Sequence, residues 1–325
     1  MAKLIFDRRL LLVTGKGGVG KTTIALALAV AGRDRGLKVL LVQLGKVDHV
    51  GPLFGAHIPL YKDLQLEPNL HTLTIEPYLA LHEYLVGQIK LQFVADWFLE
   101  NRVIQYLTQA APGWRELITI GKIWQVSELT VGYNKRRKYD LIVVDAPATG
   151  HGISFLRVPS IILNTLKFGP VRQHTLAVQK LLLDPDRTLL IGVTLPEEMA
   201  VNEVIEIHQA ARKILQIPYG ATVVNSFTRP LADRAVKPNL NKLLTDEKAL
   251  EALNRAMPAG KAPLLEALRL REVKAELAQR YLEQVRDQIG GNVLTVPRLP
   301  LAELDREAIG KIAAVLNEQI EGRKL

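Results

Sequence analysis

Short, unbroken apolar runs alternate with longer helical stretches along this chain. Leu10 to Val13 follows Arg8 and Arg9 and is apolar at every position. Such a run suits a strand buried on both faces of a parallel sheet. Thr22 to Ala31 is rich in Ala and Leu and predicts a helix, with Gly32 and Gly36 punctuating its exit. Leu37 to Val42 predicts the next strand. Strand, loop, helix and strand in that order make a βαβ unit, so the class is α/β.

Residues 45–60 read as a loop, with Gly45, Gly51, Pro52, Gly55 and Pro59. Leu70 to Ile75 alternates and predicts a short strand. Over about 77–132 the period changes: Leu79, Leu85, Ile89, Phe93, Trp97, Ile104 and Leu107 recur at helical spacing, and Trp114, Leu117, Ile118 and Trp124 continue it. This predicts a helical excursion between core strands. Leu141 to Val144 predicts a strand ending at Asp145. Helices follow over 151–183, broken at Pro159 and at Gly169-Pro170. After a strand at Leu189 to Val193, Thr194-Leu195-Pro196-Glu197 reads as a capping box, opening a helix that runs to about Leu215. Ala221 to Val224 predicts a strand ending at Asn225. Residues 230–245 read as loop and 246–288 as helix. Val293 to Val296 predicts a last strand, before Pro297, Pro300 and a C-terminal helix from Leu301.

The chemistry concentrates in one loop, Gly15-Lys16-Gly17-Gly18-Val19-Gly20-Lys21-Thr22-Thr23. A triphosphate needs several donors converging on it. A glycine-rich loop supplies successive backbone N–H groups, and the helix that follows adds its N-terminal dipole. In that arrangement Lys21 sits on the β- and γ-phosphates, the Thr22 hydroxyl is a Mg²⁺ ligand and Thr23 reaches the α-phosphate. The second lysine, Lys16, is either a solvated charge or directed away from its own nucleotide. Asp145 stands where a carboxylate holds Mg²⁺; its plainer role is to cap the next helix. The segment Ala146 to His151 that follows is placed to sense a γ-phosphate.

Composition narrows the setting. The 325 residues carry 42 Lys plus Arg against 33 Asp plus Glu, a formal charge of +9, and 48% are hydrophobic. A basic balance suits nucleotides, anionic membranes or nucleic acid, or simply keeps the chain soluble. Cysteine is absent, which excludes disulfides, thiolate zinc sites and thiol chemistry. Neither a signal peptide nor a run of about 18 apolar residues is visible, so a cytoplasmic protein is expected.

These residues resemble the ArsA-type ATPases, which include arsenite-pump ATPases and the ATPases that target tail-anchored proteins. The matching segments are "GKGGVGKTT", "VLLV" one helix later and "YDLIVVDAPATGH" followed by "FLRVP", with weaker matches at "VVN" (Val223 to Asn225) and "VPRLP". The resemblance implies a doubly wound, mostly parallel sheet flanked by helices, forming one domain over 1–325 with a helical subdomain at about 77–132 and 153–183. It implies Mg²⁺ and ATP bound in a deviant Walker A loop between two subunits, identical or paralogous. Lys16 would cross to the partner's nucleotide, and Asn225 and Pro297 would contact adenine. The helical region would form a client groove for an apolar helix or a membrane protein, with 145–151 as the relay.

The chain also departs from the pattern. The family's first switch carries an aspartate that orients the attacking water, and the ungapped match places Gly45 there. Asp48, three residues on, is the candidate replacement. Arsenite-binding thiols and a CxxC zinc clasp are missing. Only one phosphate loop is present. With Met1, Met199 and Met257 as its only methionines, the chain lacks a Met-rich groove. Slow or absent turnover is therefore a second reading, as a nucleotide-binding switch or scaffold. A third is a MinD/ParA-like positioning ATPase, with Lys135-Arg136-Arg137-Lys138 touching DNA or anionic lipid. That run is short, lacks aromatics and also fits a solvated surface.

Overall fold

The computed structural model describes residues 5–89, 113–230, 246–248, 251, 255, 261–300 and 304–321. Eight strands form one sheet: β1 (Leu10–Gly15), β2 (Val39–Leu44), β3 (Leu64–Glu67), β4 (Leu70–Ile75), β7 (Leu141–Asp145), β8 (Thr188–Thr194), β9 (Tyr219–Phe227) and β10 (Val293–Pro297). Their order is β10-β9-β8-β1-β7-β2-β4-β3. All pairings are parallel except β3, which runs antiparallel on the edge beside β4. β1, β7 and β8 are buried almost throughout, as unbroken apolar runs require when helices cover both faces. The sheet is thus the expected doubly wound α/β architecture. β3 was not predicted; its four residues are too short for a periodic signal.

On one face lies α1 (Lys21–Asp34), buried at every residue from Ile24 to Gly32. A helix apolar all round must be covered all round. The sheet covers one side, and α8 (Arg306–Glu321) covers another with Ile309, Ile312, Ala313, Leu316 and Ile320. Gly32, read as punctuation, instead lies inside α1, where a Cβ would come within 2.8 Å of the Leu141 side chain. It permits the close approach of α1 to β7. α8 docks on the domain, with Arg306 reaching Glu67 through Nε at 2.7 Å and Nη2 at 2.8 Å.

The other face carries α2 (Pro77–Ile89), α3 (Trp114–Glu128), α4 (Thr149–Thr165), α5 (Pro170–Leu183), α6 (Glu198–Ala210) and α7 (Lys261–Ile289). Ile120, Ile123 and Val126 of α3 and Phe155 of α4 share one core with Leu10, Leu12 and Val144 of the sheet. These described residues of α3 and α4 therefore pack as a layer on the sheet. Phe93, Trp97, Ile104 and Leu107 fall outside the described residues.

Three local expectations are corrected. Pro159 does not break its helix, because buried Phe155, Leu156 and Val158 hold α4 against the core around it. The capping box does not form: the Thr194 hydroxyl bonds the Leu195 carbonyl at 3.0 Å, and α6 starts after Glu197 with no side-chain cap. α6 then ends at Ala210, and a wider π turn spans Ala211–Leu215. The basic run lies in a hairpin of β5 (Thr130–Val131) and β6 (Arg136–Arg137), and its Lys138 pairs with Asp63 at 2.6 Å. Among the described residues no helix is long and apolar enough to cross a membrane.

Candidate functional site

The carboxyl ends of β1 and β7 meet the amino end of α1 in the middle of the sheet, where open α/β sheets bind ligands. The loop from Gly15 to Gly20 leaves β1 there. Gly20, the residue before α1, is left-handed with φ +87°, and a Cβ on it would lie 2.4 Å from the Asn225 amide nitrogen. Only glycine meets both demands. Val19 is buried beneath the loop, and Gly17 and Gly18 are exposed above it.

Lys21 Nζ donates to the Lys16 carbonyl oxygen at 3.0 Å, which folds its ammonium across the loop. Burial lowers the Lys21 pKa, and Asp145 and Glu203 only partly offset this. A half-buried ammonium of this kind is satisfied by an anion. The Thr22 hydroxyl donates to Asp145 Oδ2 at 2.5 Å. Asp145 Oδ1 is buried without a partner. Burial pushes the Asp145 carboxyl above its ordinary value, despite Thr22, Lys21 and His49. A hydroxyl beside a buried carboxylate with one orphaned oxygen is a donor set that fits Mg²⁺, which takes one or two carboxylates and completes its shell from phosphates and water. Among the described residues no group of three or more His, Cys, Asp or Glu side chains is placed to hold a metal alone. When bound, the ion would draw charge from the phosphate oxygens.

Asn225 is bonded to the loop from the end of β9. Its Nδ2 donates to the Val19 carbonyl at 2.9 Å, and its Oδ1 accepts from Ser226 N at 2.9 Å. Both ends of the amide are engaged, so it pins the loop. Pro297 ends β10, in register with Phe227 two residues beyond Asn225. Lys16 in the loop and Thr23 in the first turn of α1 are half-buried. The side chain of His151 lies outside the described part.

Asp48 lies within the turn that follows β2. Its Oδ1 accepts from Val50 N at 3.0 Å and Gly51 N at 2.8 Å, and its Oδ2 accepts from Ile58 N at 3.2 Å. Burial raises its pKa, but these backbone bonds outweigh that and leave it lowered. Both oxygens hold the turn. Gly45 has φ +113°, a conformation that side chains avoid.

Two residues escaped the sequence reading. Gln43, buried at the end of β2 in register with Asp145, accepts from His49 N at 3.2 Å and so anchors the loop. His49, with Thr22, Thr23 and Leu53, lines a cavity of about 200 Å³ beside the first turn of α1. Neither sits in a periodic pattern; the only signal was a polar residue next to the glycine and proline positions.

Residues 8–175 match the model of the anion-transporting ATPase family. The chain is 35% identical over 223 residues to the ATPase BagA of Mycobacterium tuberculosis, covering 67% of this chain and 64% of that protein. It is 28% identical over 217 residues to an arsenical pump-driving ATPase of Escherichia coli, covering 61% of this chain and 36% of that one. With the ATPase GET3 of Chaetomium globosum it shares 31% over 170 residues, 50% of this chain and 47% of the relative. The alignments thus span less than two thirds of each relative. ATPases of this family bind ATP with Mg²⁺, and the loop, Lys21, Thr22 and Asp145 fit both. The family match spans half the chain and contains the loop, the threonine and the aspartate just described; the chain belongs to the anion-transporting, ArsA-type ATPase family.

Proposed function

We propose that this chain is a nucleotide-gated ATPase that works as a dimer and transmits its nucleotide state to a client bound on the helical face. The observation that carries this is the Thr22–Asp145 pair, with its orphaned oxygen, at the mouth of the glycine loop. Hydrolysis would run by in-line attack of water on the γ-phosphate. Lys21, and Lys16 from the second subunit, would neutralise the charge that develops there. The loop between β2 and β3 would close on the γ-phosphate, since His49 already lines the cavity beside Thr22.

A second reading, a binding switch with little turnover, draws support from two features. Gly45 offers no side chain, and the carboxylate of Asp48 accepts from three backbone donors of its own turn. Single-turnover hydrolysis by the purified chain separates the two. Under the ATPase reading, wild type exceeds buffer by at least roughly 10³-fold and Lys21→Ala abolishes the gain. Wild type that binds a fluorescent ATP analogue yet hydrolyses no faster than buffer leaves the switch reading. Sedimentation tests the dimer: a non-hydrolysable analogue should shift wild type to dimer and leave Lys16→Ala monomeric. An unchanged dimer in all four samples would sink the shared site.

A further inference from the structure

The nucleotide loop uses the carboxyl ends of the parallel strands, which leaves their amino ends together at the opposite edge of the sheet. Basic residues stand there in the segments that lead into neighbouring strands. Arg212 leads into β9, Arg187 into β8, Arg9 into β1, Arg137 into β7 and Lys38 into β2. These residues are far apart in the chain, and the parallel order alone makes them a row. Glu128 accepts from Arg187, Asp140 Oδ2 accepts from Lys38 N at 2.8 Å, and Asp63 holds Lys138, so the acids nearest the β5–β6 hairpin are engaged. Arg9 Nη1 and Arg187 Nε are buried without a partner. Burial, and then the charge of Arg137, pull the Arg9 pKa down to about 10. Lys135, Arg136 and Arg137 are exposed and make no salt bridge among the described residues.

The hairpin projects from one margin of this edge. Cross-strand pairing sets Leu129 opposite Lys138 and Val131 opposite Arg136, so apolar and basic side chains share one face. Leu129, Val131 and Tyr133 are 37%, 48% and 102% exposed. Lys135 closes the turn at φ +47°, a left-handed position that glycine or asparagine ordinarily takes. A hairpin that only reverses the chain is more stable with glycine there. The strain of a lysine, beside a tyrosine with no cover, marks the turn as a binding surface. Across the same edge, Arg212, Lys213 and Ile214 repeat the combination of exposed basic and apolar side chains.

Charge and shape choose the partner. A basic edge takes an anionic surface. Single-stranded nucleic acid would need aromatic faces in series for its bases, and the hairpin exposes one aromatic with two aliphatic side chains. Aliphatic and tyrosyl side chains flanked by Arg and Lys suit the boundary between lipid headgroups and acyl chains. The headgroup layer is roughly 5–7 Å deep on each side of a bilayer. From Leu129 to Tyr133 the hairpin reaches up to roughly 13 Å, at about 3.3 Å per residue.

We propose that the amino end of the sheet docks on an anionic phospholipid surface, with Val131 and Tyr133 of the hairpin entering the headgroup layer and the basic row lying on the phosphates. The nucleotide loop then faces away from the membrane and stays open to its ligand. This docking surface does not rest on the ATPase reading.

Flotation of the full chain with vesicles is the test. Phosphatidylcholine vesicles with about 30% phosphatidylserine should bind wild type at least roughly tenfold better than pure phosphatidylcholine. Tyr133→Ser keeps the net charge and should weaken binding at least roughly threefold. Arg136→Glu should weaken it at least roughly tenfold. Arg298→Glu makes the same charge change just beyond β10, at the opposite edge of the sheet, and should cost less than roughly threefold. Lys135→Gly should raise the melting temperature and still weaken binding at least roughly threefold, which no purely structural role of Lys135 would do. Equal binding to both vesicles, equal losses in Arg136→Glu and Arg298→Glu, or undiminished binding by Tyr133→Ser or Lys135→Gly overturns the docking surface. A Tyr133-dependent complex with a fluorescent single-stranded oligonucleotide, without vesicle binding, makes nucleic acid the partner and overturns it too.

Discussion

Thr22 donates its hydroxyl hydrogen to Asp145 Oδ2 at 2.5 Å, so the first turn of α1 and the end of β7 meet at one pair of oxygens. The same carboxylate keeps its other oxygen buried and unpartnered, and burial raises its pKa. Asp145→Asn removes a poorly compensated charge. Without nucleotide the variant should gain about 1 kcal/mol, or roughly 2–4 °C in melting temperature. Its Mg-dependent hydrolysis should fall roughly 10²–10³-fold. Thermal melts with phosphate-release assays check both, and a variant that loses stability speaks against a strained site.

Asp48→Ala should cost about 1 kcal/mol and expose residues 48–58 to protease, because three backbone donors lose their acceptor. Its single-turnover rate should drop less than about tenfold. A loss of roughly a hundredfold or more would return Asp48 to the water-orienting role. Gly45→Asp, which restores the family's residue, should not restore speed. The φ of +113° strains any side chain there by about 1–2 kcal/mol.

Asn225→Ala releases the Val19 carbonyl from its donor. Loss of about 1–3 kcal/mol of stability is expected, with a raised KM for ATP and a smaller change in kcat, since the loop is then no longer held in shape before ATP arrives. Steady-state kinetics decide: a fall confined to kcat would contradict a loop-holding role.

Asp63 gathers Lys138 Nζ at 2.6 Å, His71 Nδ1 at 3.0 Å and the Tyr139 hydroxyl. Burial raises its pKa, and these partners outweigh that and leave it lowered. A carboxyl depressed in the folded state adds stability that is complete above the unfolded value near about 3.9 and fades as pH falls through the folded value. Asp63→Asn should therefore be about 1–2 kcal/mol less stable at pH 7, and the gap should begin to close below about pH 4 and vanish only once pH is below the lowered folded value. Urea titrations across this range would show it.

The strands were legible because burial on both faces writes itself as unbroken apolar runs, as at Leu10–Val13 and Leu141–Val144. The glycine loop and Asp145 were legible because phosphate and Mg²⁺ chemistry demands those residue types at those strand ends. What stayed hidden depends on which way a polar group turns. Thr194 had the right spacing for a cap but bonds its neighbour's carbonyl, and Asn225 spends its amide on Val19. Pro159 was misread for the opposite reason, since packing of Phe155 and Leu156 overrode a local breaker. Tyr61 and Lys122 both bond Glu83 from separate segments, and no window of sequence contains all three.

The docking of α8 on α1 bears on how the molecule is made. The helix that carries Lys21 and Thr22 has its apolar flank closed by residues 306–321. A ribosome adding roughly 5–20 residues per second leaves that flank bare for on the order of tens of seconds. During this interval the nascent chain offers a sticky Ala- and Leu-rich surface, and the phosphate loop is anchored on an unsupported helix. Nucleotide should thus be unable to hold the emerging chain until residues 306–321 have been synthesised, which makes ATP a late ligand and not an early folding aid.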